Sequence, residues 1–211
     1  MDVGANDPVT SVSQPFENLG WTGLIFEPLP ASAEKLRQVR KNPVIEAACT
    51  SHDMAKLQTA QLYLAGFGGQ QSSLDVSAQD ALSRTGQTIE VRLTTLNEEL
   101  AKHTIEKIDF LAIDVEGHEL AVLGGLNLHA FKPQLVLLED WARDFSRHRW
   151  MQGHGYKLVR RTSFNSWYVP HATDFPLSAW GRLQLLRKYV LGMPVRRLRL
   201  WRHERKLAVS A

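Results

Sequence analysis

A chain of 211 residues that is 44% hydrophobic has apolar mass for one sizeable core and little left for a second. Its single cysteine, Cys49, excludes an internal disulfide, and no CxxC or clustered Cys/His spacing writes a structural zinc site, which suits a reducing compartment. Nine of the 25 Lys+Arg but only one of the 22 Asp+Glu fall in residues 181–211, so the net charge of +3 divides into +8 for that segment and −5 for the rest.

The N-terminal "MDVGANDPV" has neither a basic region nor an apolar signal core, and no run approaches eighteen uninterrupted apolar residues. A soluble, cytoplasmic protein is expected. "GLIFEP" reads as a short strand ended by Pro28, and "PASAEKLRQVRKN" as a helix with Ala33, Leu36 and Val39 on one face. "VIEAAC" reads as a strand; "TAQLYLA" and "TIEVRLT" read as alternating strands around the glycine-rich "GFGGQQSSLDVSAQ", which is expected to be a mobile loop. "TLNEELAKH" is a helix capped by Thr95, "KIDFLAI" a buried strand and "HELAVLGGL" a short helix stopped by glycine. A further strand, "QLVLLE", precedes a helix over much of 142–152 and a closing hairpin of "YKLVRR" and "SWYVP".

Strands separated by helices require crossover connections, so the expected architecture is a three-layer αβα fold around a mainly parallel sheet. In such a sheet ligands sit beyond the carboxyl ends of the strands. Three strand ends carry matching chemistry. Gly4 lies in a turn of small or polar residues, Glu27 follows 23 positions later, and Asp114, Glu116, His118 and Glu119 crowd the end of "KIDFLAI". A small-residue turn lets a ligand approach the backbone, and an acid about 20 residues on accepts hydrogen bonds from ribose hydroxyls. After Gly4 come Ala5, Asn6, Asp7 and Pro8, so no GxGxxG cradle for a pyrophosphate is present. This disfavours a nicotinamide dinucleotide and suits a nucleoside without phosphates.

"DVGANDP", "FENLGWTGLIFEPLP" and "EKIDFLAIDVEGHELAVLGGL", with "QLVLLE", "GYKLV" and "WYV", together resemble the FkbM family of S-adenosylmethionine-dependent methyltransferases over roughly Asp2 to Pro170. The resemblance implies a Rossmann-like sheet, seven-stranded in the family with its last strand antiparallel, and methyl transfer to a hydroxyl of a sugar, glycan or secondary metabolite. It implies that Asp2, Gly4 and Asn6 line the methionine and ribose end of the cofactor. Glu27 would hold the ribose hydroxyls, Ala48 and Cys49 would meet the adenine edge, and Asp53 would pair with the exocyclic amine. Asp114, Glu116 and Glu119 match the family's DVEGxE block, beside the reactive methyl. One departure stands out: only Met1 precedes Asp2, so the first strand is almost absent.

An acceptor hydroxyl must lose a proton as the methyl arrives, and a positioned carboxylate or imidazole can take it. Asp114, Glu116 and His118 are therefore the expected catalytic groups. Asp114 with Glu116 also offers two hard oxygen ligands, which leaves assistance by a divalent cation open. Competing readings are a strand-end cap for Asp114, dipole-favoured acids at a helix start for Glu116 and Glu119, and a solvated loop position for His118.

Residues 177–211 form an appendage to a methyltransferase domain of residues 1–176. Leu183, Leu186 and Val190 recur at helical spacing among cations, Met193-Pro194 interrupts the pattern, and further cations follow around Leu198, Leu200 and Trp201. Two readings stand: a peripheral contact of 181–211 with an anionic membrane at its inner face, or a helix that packs its leucines and tryptophan on the domain. Nucleic acid is disfavoured, since no aromatics interleave the cations as a platform. The non-enzymatic alternative is a degenerate binding module that uses this tail. Neither the acceptor nor the oligomeric state is written in the sequence.

Overall fold

The computed structural model describes all residues except Thr10, Phe67, Gly68, Gln70, 76–83, 142–143, 199–200 and 202–211. It divides into two compact units, Met1–Val136 and Leu137–Ala211; the boundary expected at 176/177 falls inside the second. Along the first unit run β1 (Asp2–Val3), α1 (Gln14–Asn18), β2 (Ile25–Phe26), α2 (Pro30–Val39), β3 (Val44–Ile45), β4 (Ala48–Cys49), α3 (His52–Ala55), β5 (Thr59–Ala65), β6 (Arg84–Thr94), α4 (Leu96–Lys102), β7 (Phe110–Ile113), α5 (Glu119–Gly124) and α6 (Leu128–Phe131). Strand β8 (Leu135–Glu139) carries the chain into the second unit, which continues with α7 (Ser146–Gly153), β9 (Tyr156–Thr162), β10 (Asn165–Pro170), α8 (Ala179–Leu185) and a π-helical segment, Leu186–Leu191.

The fold is α/β with mostly parallel strands. In the first unit the hydrogen-bonded order is β3-β2-β1-β7, every pair parallel. In the second, β9 and β10 form the expected antiparallel pair. β7 is buried at all four positions, which explains its unbroken apolar run. Pro30 opens α2, where a missing N–H costs nothing. Ala33 and Leu36 of that helix are buried, Leu36 with Ile25 and Ala5, while Val39 faces solvent. Each fully buried leucine or isoleucine here contributes about 1.5–3 kcal/mol. Thr95 starts α4 with a capping box, its hydroxyl accepting from Glu98 N–H while the Glu98 carboxylate accepts from Thr95 N–H.

Short as it is, β1 is bonded on both sides. Asp2 N–H donates to Leu24 O and Gly4 N–H to Phe26 O, while Ala112 N–H donates to Met1 O and Asp114 N–H to Val3 O, all at 2.9–3.0 Å. The stub therefore hangs the glycine turn from two neighbours rather than one.

Three expectations need correction. "VIEAAC" is two strands, because Ala47 N–H turns back to Ile45 O at 3.1 Å; β3 stays beside β2, whereas β4 pairs with β6 in a separate three-stranded sheet of order β4-β6-β5. The glycine-rich stretch lies partly outside the described residues, but its Ser73 exchanges two backbone hydrogen bonds with Tyr63 of β5, at 3.0 and 3.1 Å. That part is paired backbone and not a free loop. In the tail, the leucines and Trp180 expected to pack on the domain are largely exposed, and Tyr189 and Met193 are the buried residues. Among the described residues no helix is long and apolar enough to cross a membrane.

Candidate active site

Parallel strands β1, β2 and β7 end side by side, and the residues that follow them meet. Gly4 and Asn6 after β1, Glu27 after β2, Ala48 and Cys49 of β4, and Asp114, Glu116 and His118 after β7 all line one narrow cleft in the first unit. Its empty space, partly open to solvent, is about 570 Å³.

The glycine turn is set by backbone geometry. Gly4 has φ +84°, and a Cβ there would stand 1.8 Å from the carbonyl oxygen of Asp114. No other residue fits without moving the β7 turn. Asn6 is also left-handed, with φ 50°, a conformation asparagine tolerates better than most side chains. The turn aims Asn6 N–H at Glu27 Oε2, 2.7 Å away, while Leu29 N–H donates to Glu27 Oε1 at 2.8 Å. Glu27 is 2% exposed. Burial pushes its carboxyl up to about 7, and the charge of Asp2 adds to the rise against the two backbone bonds.

Asp2 does not line the cleft. It is buried behind the turn, where its Oδ2 accepts from the hydroxyls of Ser11 (2.6 Å) and Ser13 (2.7 Å). Arg40 completes this network from the end of α2, donating through Nε to Glu17 (2.7 Å), through Nη1 to Ser11 (2.7 Å) and through Nη2 to Ser13 (2.8 Å). The resemblance put Asp2 at the ligand; the structure puts it in the scaffold that holds the turn.

After β7 the chain turns through Glu116 (φ 50°) and Gly117 (φ 100°) into α5. Glu119 is fully buried and its Oε1 accepts from Gly117 N–H at 2.8 Å, so this acid secures the turn. Asp114, Glu116 and His118 are half-buried on the cleft side. His118 is not a solvated loop residue: its Nε2 lies 2.9 Å from Oγ1 of the buried Thr50. Burial lowers the pKa of its imidazole, against the opposing charges of Glu119 and Asp75, and so favours the neutral ring.

Asp53 is not brought to the site. It sits in the first turn of α3 with a 91% exposed side chain, paired with Lys56 at 2.7 Å, and the helix directs it to water. Cys49 is buried and lines the cleft, and burial raises its thiol well above the ordinary range; it is an apolar wall. Sequence reading did not find Thr50, nor the contribution of Ser72, Ser73 and Leu74, which also line the cleft. Nothing local signals them, because it is the pairing of Ser73 with Tyr63 that brings them there.

A family model described as the methyltransferase FkbM domain matches residues 2–158. No curated protein and no solved structure matches the chain.

Proposed function

We propose that this chain, which belongs to the FkbM methyltransferase family, methylates a hydroxyl oxygen of a sugar, glycan or secondary metabolite with S-adenosylmethionine as the donor. The observation that carries this reading is the single cleft shared by Gly4, Asn6, Glu27, Asp114, Glu116 and His118.

The cleft residues fit the adenosyl group. Glu27 is a buried carboxylate with each oxygen fixed by one backbone N–H, which leaves lone pairs for the two hydroxyls of a ribose. Ala48, Cys49, Leu62 and Leu74 give the apolar surface an aromatic base requires. The Gly4 turn has no side chain to hinder close approach. When bound, S-adenosylmethionine supplies an electrophilic methyl on a positively charged sulfur.

Asp114 is the residue we assign to accept the hydroxyl proton. Its backbone is tied to β1 through Asp114 N–H and Val3 O, so the acid moves with the turn that grips the nucleoside. Glu116 adds a second carboxylate beside it, and the pair presents the hard oxygens a divalent cation takes. His118, held by Thr50 and favoured as the neutral ring, is a second group able to bind a proton.

Calorimetry with S-adenosylhomocysteine tests the grip: micromolar binding is expected, and Glu27→Ala is expected to abolish it. Absence of binding to the well-folded chain would leave a degenerate binding module. Asp114→Asn is expected to keep the ligand affinity and lose about 10²–10⁴-fold in turnover; unchanged turnover removes Asp114 from the chemistry.

A further inference from the structure

The second unit presents a surface that methyl transfer does not use. Ser178 caps α8, its Oγ accepting from Gly181 N–H at 3.0 Å. The π-helical segment follows directly, and the backbone is helical again over 193–198.

One side of this helical run is anchored. Tyr189 and Met193 are buried. The Tyr189 ring lies 5.2 Å from that of His148 and 5.7 Å from that of Phe145, with the Arg161 guanidinium 5.5 Å over its face. Arg196 folds back to donate to the carbonyls of Lys188 (2.8 Å) and Tyr189 (2.9 Å), closing the wide turn. A π turn takes an extra residue. Here it carries the buried Tyr189 while the apolar stripe resumes beyond it.

The opposite side is apolar and uncovered. Trp180, Leu183, Leu186, Leu191, Leu198 and Trp201 are 46–67% exposed, at intervals of three, five and seven residues that return to one side of the helix. Arg182, Arg187, Lys188 and Arg197 are exposed beside this stripe. The sequence has no Asp or Glu between Asp174 and Glu204. An exposed apolar face of this length marks a contact, and its fringe of cations without any acid selects the partner. A second copy of the chain would bring cations against cations. A nucleic acid would leave the leucines facing phosphates.

We infer that this face seats on an anionic lipid bilayer, with the apolar stripe at the acyl boundary and the flanking cations among the phosphate headgroups. The family match ends at residue 158, so this surface lies beyond the matched residues.

Flotation of the full chain with vesicles tests it, using phosphatidylcholine alone against phosphatidylcholine with about 30% phosphatidylglycerol. The expected result is at least roughly tenfold stronger partition to the anionic vesicles, falling as salt is raised. Leu183→Ser with Leu191→Ser, both exposed and so folding as the parent does by circular-dichroism melting, is expected to abolish partition. Arg187→Gln with Lys188→Gln is expected to weaken it roughly 30-fold, the effect of two surface cations. No partition to anionic vesicles overturns the inference. So does equal partition to both vesicle types, a dimer in solution that Leu183→Ser dissolves, or oligonucleotide binding that competes the vesicles off.

Discussion

Glu27 is the residue on which the fold and the proposed ligand make opposite demands. Its carboxyl titrates near 7 in the folded chain, because burial and the neighbouring Asp2 charge disfavour the ionised form, whereas an unfolded glutamate titrates near 4.5. The folded state therefore binds the proton more tightly, and this contribution to stability is fully present below about pH 4.5 and is lost as pH rises to about 7. The loss is on the order of 3 kcal/mol at 1.36 kcal/mol per pKa unit. Melting temperatures measured from pH 5 to pH 8 should fall, and Glu27→Gln should flatten that slope. The proposed ligand binding has the reverse sign, because ribose hydroxyls would donate to the ionised form. Affinity for S-adenosylhomocysteine should therefore weaken as pH drops below about 7, and a pH-independent affinity would remove Glu27 from the ribose. Gly4, Glu27 and Asp114, which meet at one cleft, are residues whose place at a strand end the local sequence states. Asp53 was misplaced because an acid just beyond a strand looks alike whether the next helix turns it inward or out. Asp2 was misjudged because its partners, Ser11, Ser13 and, through them, Arg40, lie up to 38 positions away and bear no shared motif.

At the scale of elements, Arg40 ties the end of α2 to α1 and to the foot of the glycine turn. Its side chain is 1% exposed and that of Glu17 6%. A buried pair of this kind is costly to break, since the survivor is left charged and without a partner. Arg40→Ala should lower stability by about 3–5 kcal/mol in denaturant titrations. Arg40→Lys should recover only part of that, because a lysine ammonium cannot reach Glu17, Ser11 and Ser13 with the fixed fork of a guanidinium. Periodicity gave α2, α4, β5, β7 and the β9–β10 hairpin, where apolar spacing and caps agree. It missed the division of "VIEAAC", because the turn from Ala47 back to Ile45 is made by backbone alone and the same apolar letters suit either sheet. It also missed the four- and five-residue helices α1, α3 and α6, which are too short to show a period.

For the whole molecule, what can be measured is how ligand occupancy propagates to stability. A ligand that binds only the folded chain adds about 2.7 kcal/mol at 100 times its Kd, which for a chain of this size corresponds to about 5–10 °C. Saturating S-adenosylhomocysteine should raise the melting transition that contains Met1–Val136 by that amount, and should leave it unmoved in Glu27→Ala. Charge is partitioned along the chain as well, with +8 in residues 181–211 and −5 elsewhere, so the electrostatic part of the proposed contact with an anionic surface falls on one end. The wall that Glu27 forms has one more effect. In its ionised form, populated above about pH 7, this poorly screened carboxylate would repel a guest that carries phosphate where the proposed donor has a neutral diol. A nucleotide phosphorylated on the ribose diol would thereby be turned away by the same oxygens proposed to hold an unphosphorylated adenosyl group, whereas a 5′-phosphate would not meet them.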